Sequence, residues 1–315
     1  MAAAAKMGCR LKRILVFLLT AAFAPGATYY VTVAGLGGEP DYEQRFASLA
    51  KETEKLVANS PDVKVITLCA PDSTKAKLQS VIAEISKTAT PEDSLVLFLI
   101  GHGTFDGLDY KFNLPGPDIT AVELAALLDR VRARQLVVNT TSASGASFDS
   151  LRRENRAIIT ATKSGTERNA TVFARYWVEA LRDPGADSDK NEVVTALEAF
   201  RYADQKTVSF YETQKRLATE HAMLEDTGKG EPARAPSPEN GQGLLAARFP
   251  VLRLGAVQKA TLAPEKQQLL TKKEELERQI DELKYRKAAM DSNQYKVQLS
   301  ALLLQLAQVQ KELDQ

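Results

Sequence analysis

The chain has 315 residues, room for one medium α/β domain and an appendage at the usual size of about 100–200 residues per domain. Its 41 basic and 40 acidic residues nearly cancel, so charge provides no footprint for nucleic acid and no basic patch suited to an anionic membrane surface. Only two cysteines are present, Cys9 and Cys69, which excludes a multi-disulfide framework.

Lys6, Arg10, Lys12 and Arg13 precede an apolar run over 14–24, followed by Pro25, Gly26 and Ala27. A basic segment, a short apolar segment and then small residues form the pattern of a secretory signal peptide, here 1–26. The run is short for a membrane span, which needs about 20 apolar residues. The chain is therefore expected to be exported, periplasmic or secreted, with an uncleaved N-terminal anchor as the alternative. Cleavage would leave Cys69 alone. No later segment is apolar enough to span a membrane.

The stretch 28–34, rich in β-branched and aromatic residues and stopped by Gly35, reads as a strand. Residues 41–58 carry helical spacing at Phe46, Leu49, Ala50 and Leu56; 63–69 reads as a second strand and 73–87 as a helix. The unbroken apolar run 94–100 fits a central parallel strand buried on both faces. A helix over 120–132, strands over 135–141 and 157–162, and a short helical stretch over 148–155 complete an alternating pattern. That alternation predicts a mostly parallel sheet covered on both faces, with functional groups beyond the carboxyl ends of its strands.

Two turns fall at such ends. His102 sits between two glycines after the 94–100 strand, where a neutral imidazole could shuttle a proton near pH 7. Ser142-Ala143-Ser144-Gly145 follows the next strand, and Ser142 or Ser144 could face His102; a serine hydroxyl needs such a base to become a nucleophile. Tight turns also use small hydroxyl residues for purely structural reasons.

Together the turns resemble those of the caspase-like peptidases of clan CD, nearest the legumain family, in which one strand ends in His-Gly and the next in a Cys-x-Ser-Gly-type turn. The likeness spans roughly 28–254 and places Ser142 at the cysteine position. It implies a caspase-like three-layer α/β sandwich, His102 as proton shuttle, and the N–H groups of Gly103 and Ser142 as an oxyanion site. No acidic residue beside either turn qualifies as an orienter for the base, and Asp41-Tyr42-Glu43 falls where legumains carry a substrate-binding arginine. The expected function is a peptidase homologue, weak or inactive, that binds peptide or protein in its cleft. The alternative is an active Ser–His hydrolase of peptide or amide bonds.

A further constellation, Asp187-Ser188-Asp189-Lys190-Asn191-Glu192, leads to Glu198. Asp187, Asp189, Asn191 and Glu198 stand at positions 1, 3, 5 and 12 of an EF-hand loop, a calcium pattern. Glu192 replaces the glycine usual at position 6, and an acidic helix start explains the same residues. No other cofactor is expected. His221 reads as a solvated helix residue and Trp177 as core.

The stretch 228–243 reads as a loop, with 244–254 returning to the core. From Pro264 onward, leucines at two heptad phases change register near Asp291-Ser292-Asn293. This predicts a helical hairpin or coiled coil over 264–315, following the α/β domain at 27–255, and a surface for a helical partner.

Overall fold

A computed structural model of the chain describes residues 26–60, 62–254 and 263–313, without the side chains of 240 and 288. The apolar run at 14–24 lies outside the described residues.

Six strands form the central sheet: β1 (Thr28–Ala34), β2 (Val63–Leu68), β3 (Ser94–Ile100), β7 (Arg134–Asn139), β8 (Arg156–Thr160) and β10 (Met223–Glu225). Their order is β10-β8-β7-β3-β1-β2, parallel throughout except for β10, which runs antiparallel to β8. Along β3 the side chains alternate between two cores. Val96, Phe98 and Ile100 join one, under α1 (Pro40–Val57), α5 (Phe173–Arg182) and α6 (Ala196–Thr213). Leu95, Leu97 and Leu99 join the other, under α2 (Lys75–Thr88), α3 (Ala121–Leu128) and α4 (Phe148–Leu151). A strand with helices on both faces has no solvated side, which is why its sequence is apolar at every position. The fold is a three-layer α/β sandwich with a mostly parallel sheet, as expected.

Helix starts follow local chemistry. Thr120 and Thr195 each accept from the backbone N–H three residues on, and Glu123 and Glu198 return the contact, so α3 and α6 open with capping boxes. Thr74 caps α2 through Lys77 N.

Two small sheets differ from the sequence reading. One is the antiparallel set β4 (Gly103–Phe105), β5 (Tyr110–Phe112) and β6 (Ile119–Thr120), directly after His102. The other pairs β9 (Val193–Thr195) with β11 (Pro250–Arg253). Strands of two to four residues carry too few positions to show a period. The returning segment is present: α7 (Leu244–Ala247) is capped by the buried Asp226, which accepts from Gly243, Leu245 and Ala246 N–H groups, and Phe249 is fully buried.

The C-terminal residues form α8 (Pro264–Tyr285) and α9 (Ser292–Leu313), a helical pair. Lys266 Nζ lies 3.3 Å from the Leu313 carbonyl, so the two helices run antiparallel. Leu276, Ile280 and Leu283 are the buried stripe of α8. Arg253–Glu274 (2.6 Å) and Arg248–Glu282 (3.5 Å) tie it to the α/β domain. No helix among the described residues is long and apolar enough to cross a membrane.

Candidate functional site at the carboxyl end of the sheet

His102 leaves the end of β3 and Ser142 follows β7, its neighbour, so parallel register brings the two turns side by side. Thr140 N and Oγ1 both donate to the Leu99 carbonyl, at 3.0 and 2.7 Å, fastening the two strand ends. Beyond that point Ser142 meets Gly103. The Gly103 N–H donates to Ser142 Oγ at 3.1 Å, and the same hydroxyl donates to the Gly103 carbonyl at 3.1 Å. The single hydroxyl proton is thereby spent on backbone. Ser142 is 3% exposed.

The glycine is required here. A Cβ on Gly103 would stand 2.5 Å from the Ser142 carbonyl and 2.7 Å from the Tyr110 ring. Beneath it the Tyr110 hydroxyl bonds Thr141 Oγ1 (2.6 Å) and Asn139 Oδ1 (3.1 Å), while Asn139 Nδ2 reaches Ser147 Oγ at 3.2 Å. Burial pushes the Tyr110 phenol up to about 12. This neutral, closed network holds the turn rigid. Ala143 adopts a left-handed conformation (φ 56°), fixed by its N–H donating to the Glu167 carbonyl at 2.8 Å. Ser144, fully buried, takes the Thr162 N–H at 3.1 Å and shares a hydroxyl contact with Thr162 Oγ1.

The His102 ring is half-buried, edge-on to Tyr42 (centroids 4.7 Å) and Phe46 (5.2 Å). Burial lowers its pKa, a hydrogen bond with the Gly37 backbone opposes this, and Arg45 lowers it further; the net shift favours the neutral ring. The structure brings His102, Gly103 and Ser142 into one place. Among the described residues, however, neither Ser142 nor Ser144 hydrogen-bonds the imidazole; each is bonded to backbone or threonine instead. Asp106 is turned to other work: it accepts from the Leu108 and Asp109 N–H groups and pairs with Lys111 at 3.0 Å. Cys69 follows β2 at the sheet edge, separated from β3 by β1, and burial pushes its thiol up.

Two residues the sequence reading missed stand next to the Ser142 turn. Glu167 accepts His221 Nδ1 (2.5 Å), His221 N (3.2 Å) and Lys163 N (2.9 Å). His221 is therefore no solvated helix residue. It lies in the extended approach to β10, its ring held by a carboxylate 54 positions away in sequence. No local pattern announces such a pair.

The acidic loop forms a second centre. Asp187, Asp189 and Glu198 bring ligand oxygens within 4.8 Å of one another. Lys190 (φ 59°) and Glu192 (φ 67°) are both left-handed, and Asn191 and Glu192 N–H groups fold back onto Asp187. Asn191 itself bonds Asp189 Oδ2 and the Val193 N–H. Burial, then the Glu198, Asp281 and Asp187 charges, push Asp189 up to about 6, against backbone bonding from Asn191.

No family model matches the chain, and no curated protein matches it. Among solved structures it is similar to protein GSU0716 of Geobacter sulfurreducens, with 13% identity over 73% of this chain and all of that one (TM-score 0.44). It is similar also to the Drosophila initiator caspase Dronc, with 12% identity over 66% and 81% of the two chains (TM-score 0.41). Spodoptera frugiperda caspase-1 gives 11% identity over 64% and 87%, with a TM-score of 0.43.

Proposed function

We propose that the chain is an exported, legumain-related homologue of the caspase-like peptidases that binds peptide or protein at the carboxyl end of its sheet without cleaving it. One observation carries this reading: the Ser142 hydroxyl both accepts from and donates to Gly103, so it fills the position of an oxyanion donor's guest instead of facing the imidazole. A serine depends on an adjacent base for its nucleophilicity, and here that base is packed against Tyr42 and Phe46. A fluorophosphonate probe is expected to leave Ser142 unmodified under conditions that label trypsin completely, with no turnover of a mixed peptide substrate pool. Labelling at Ser142, read by peptide mass spectrometry and lost in Ser142→Ala, would instead establish the Ser–His hydrolase.

The second reading is calcium at the acidic loop, favoured by left-handed backbone at loop positions 4 and 6 together with convergent carboxylates at 1, 3 and 12. Asp187, Asp189, Asn191 and Glu198 would supply the oxygens. With Asp189 raised from 3.8 to about 6, the folded chain keeps a proton that the unfolded chain releases, so this group's contribution to stability falls as pH climbs through that interval. At pH 7 the metal-free chain then carries a partly desolvated carboxylate beside Glu198, eased in part by the Lys284 charge. Calcium at about 100 times its Kd is expected to add about 2.7 kcal/mol, seen as a rise in Tm reversed by chelator. Asp189→Asn is expected to raise the metal-free Tm at pH 7 and to abolish the calcium response. A Tm indifferent to calcium in the unsubstituted chain would end this reading.

A further inference from the structure

The C-terminal helical pair divides its charge unevenly. Half of the 22 residues of α8 are charged, whereas α9 has Lys296 near its start, Lys311 and Glu312 near its end, and an uncharged belt over 297–310 between them. A helix that faces water on its outer side ordinarily carries charge there, as α8 does.

At 3.6 residues per turn the belt has two faces. Leu299, Leu302, Leu306 and Val309 share one, half-buried or buried, and pack toward α8. Val297, Ala301 and Leu304 recur at i, i+4 and i+7 on the opposite face, and all three are exposed, Val297 and Leu304 at 70% and 72%. Residues three and four apart are neighbours on a helix surface, so these three form one contiguous stripe. Ser300, Ala307 and Gln308 flank it and are exposed too. Small flanks let a second helix approach to about 8–10 Å, where the Val297 and Leu304 side chains can interdigitate with those of the newcomer. The ion pairs to the α/β domain leave from α8, through Glu274 and Glu282, and Val309 is the one buried residue of α9 among those described. The stripe faces open solvent.

The chemistry of the stripe selects its occupant. A partner helix studded with charge would lose hydration and find no counter-charge between 297 and 310. A helix that lies on a membrane carries lysine and arginine along its polar side, whereas this stripe is edged by Ser300, Ala307 and Gln308. What fits is another uncharged stripe of small and branched residues, and α9 of a second copy supplies one with the same spacing. We propose that the chain associates as a two-fold dimer through antiparallel α9 helices, so that two helical pairs join into a four-helix bundle. With the axis between Ser300 and Ala301, Val297 of each copy packs on Leu304 of the other, and Ala301 meets its own counterpart. Lys296 then falls opposite Gln305, and Lys311 opposite Met290, before the far helix begins. A parallel pair would instead set Lys296 against Lys296 and Lys311 against Lys311, a costly juxtaposition of like charges. The dimer needs nothing from the cleft at the carboxyl end of the sheet. A single helix face buries less than the about 1,200–2,000 Å² of a standard interface, so the expected Kd is about 1–100 µM.

Sedimentation velocity of the full chain between about 1 and 200 µM tests this, since mass action moves a dimer of that strength across the range. A monomer–dimer equilibrium is expected, not weakened when salt is raised, because no charge is engaged. V297E/L304E is expected to weaken it at least tenfold with helical circular dichroism retained, while L108S on the α/β domain leaves it as it was. In a C9S/C69S background, mild oxidation is expected to cross-link A301C, at the axis, and to spare L304C, whose two copies stand about 10 Å apart along the pair. A chain that stays monomeric throughout, or a dimer as tight in V297E/L304E as in the unsubstituted chain, would overturn the proposal. Cross-linking of L304C in preference to A301C would overturn the antiparallel pairing. Binding to phosphatidylglycerol vesicles that is lost in V297E/L304E, with no dimer in their absence, would replace the second copy by a membrane surface and overturn the proposal as well.

Discussion

Arg156→Ala is expected to cost the fold about 3–5 kcal/mol, the range for breaking a buried charged network by removing one member. Arg156 is 2% exposed at the start of β8, the end of the sheet opposite His102 and Ser142. Its guanidinium donates to Gln135 Oε1 (2.8 Å), the Leu151 carbonyl (2.6 Å) and Asp129 Oδ1 (2.9 Å). Gln135 in turn donates to the carbonyls of Leu128, the last residue of α3, and Val131 beyond it, so one side chain joins β7, β8, α3 and α4. Truncation leaves Gln135 Oε1 and the Leu151 carbonyl without a donor, and each such buried orphan costs about 1–3 kcal/mol. Asp129 retains Arg153 at 2.7 Å, which limits the loss. Arg156→Lys, with one compact ammonium in place of the fork, is expected to recover less than half of it. Urea unfolding followed by circular dichroism measures both; a loss under about 1 kcal/mol for alanine would show that the network is not cooperative.

The second large effect belongs to the opposite face of the sheet. Trp177→Ala is expected to cost about 3–5 kcal/mol by emptying the centre of the core between α5 and the sheet. Trp177 is fully buried, with Phe98 and Phe173 at centroid distances of 6.3 and 6.5 Å. Its indole N–H and the nearby Tyr30 hydroxyl are both buried without a partner of full hydrogen-bond geometry, and burial holds the phenol far above its ordinary range. Tyr30→Phe removes one of these orphans at almost no change in shape, so it is expected to be neutral or slightly stabilising where Trp177→Ala is severe. Equal losses from the two would mean that phenol and indole satisfy each other in solution.

Much of the architecture was legible because long, buried strands announce themselves. The runs at 28–34 and 94–100 coincide with β1 and β3, since a strand covered on both faces must be apolar at consecutive positions. The change of heptad phase at Asp291–Asn293 marked the break between α8 and α9. The candidate site was legible to the extent that glycines and small hydroxyl residues fall just beyond strand ends. What could not be read was where each hydroxyl points. The sequence offers Ser142 as a partner of His102, whereas the fold turns it to Gly103, a choice made by atoms of backbone that carry no sequence signal. The same holds for Glu167 and His221, whose contact depends on how β10 returns beside β8.

The bond between Ser142 and Gly103 has a consequence for any molecule that approaches this floor. The turn carries its own ligand, tethered, at an effective concentration no dilute solute can match. An incoming oxygen that seeks the Gly103 N–H must displace a hydroxyl held by two bonds, each worth about 0.5–1.5 kcal/mol, a handicap of roughly 5- to 150-fold in affinity. The floor thereby discriminates against small acceptors that would otherwise lodge there and clog it. Binding strength has to come from contacts spread across the mouth.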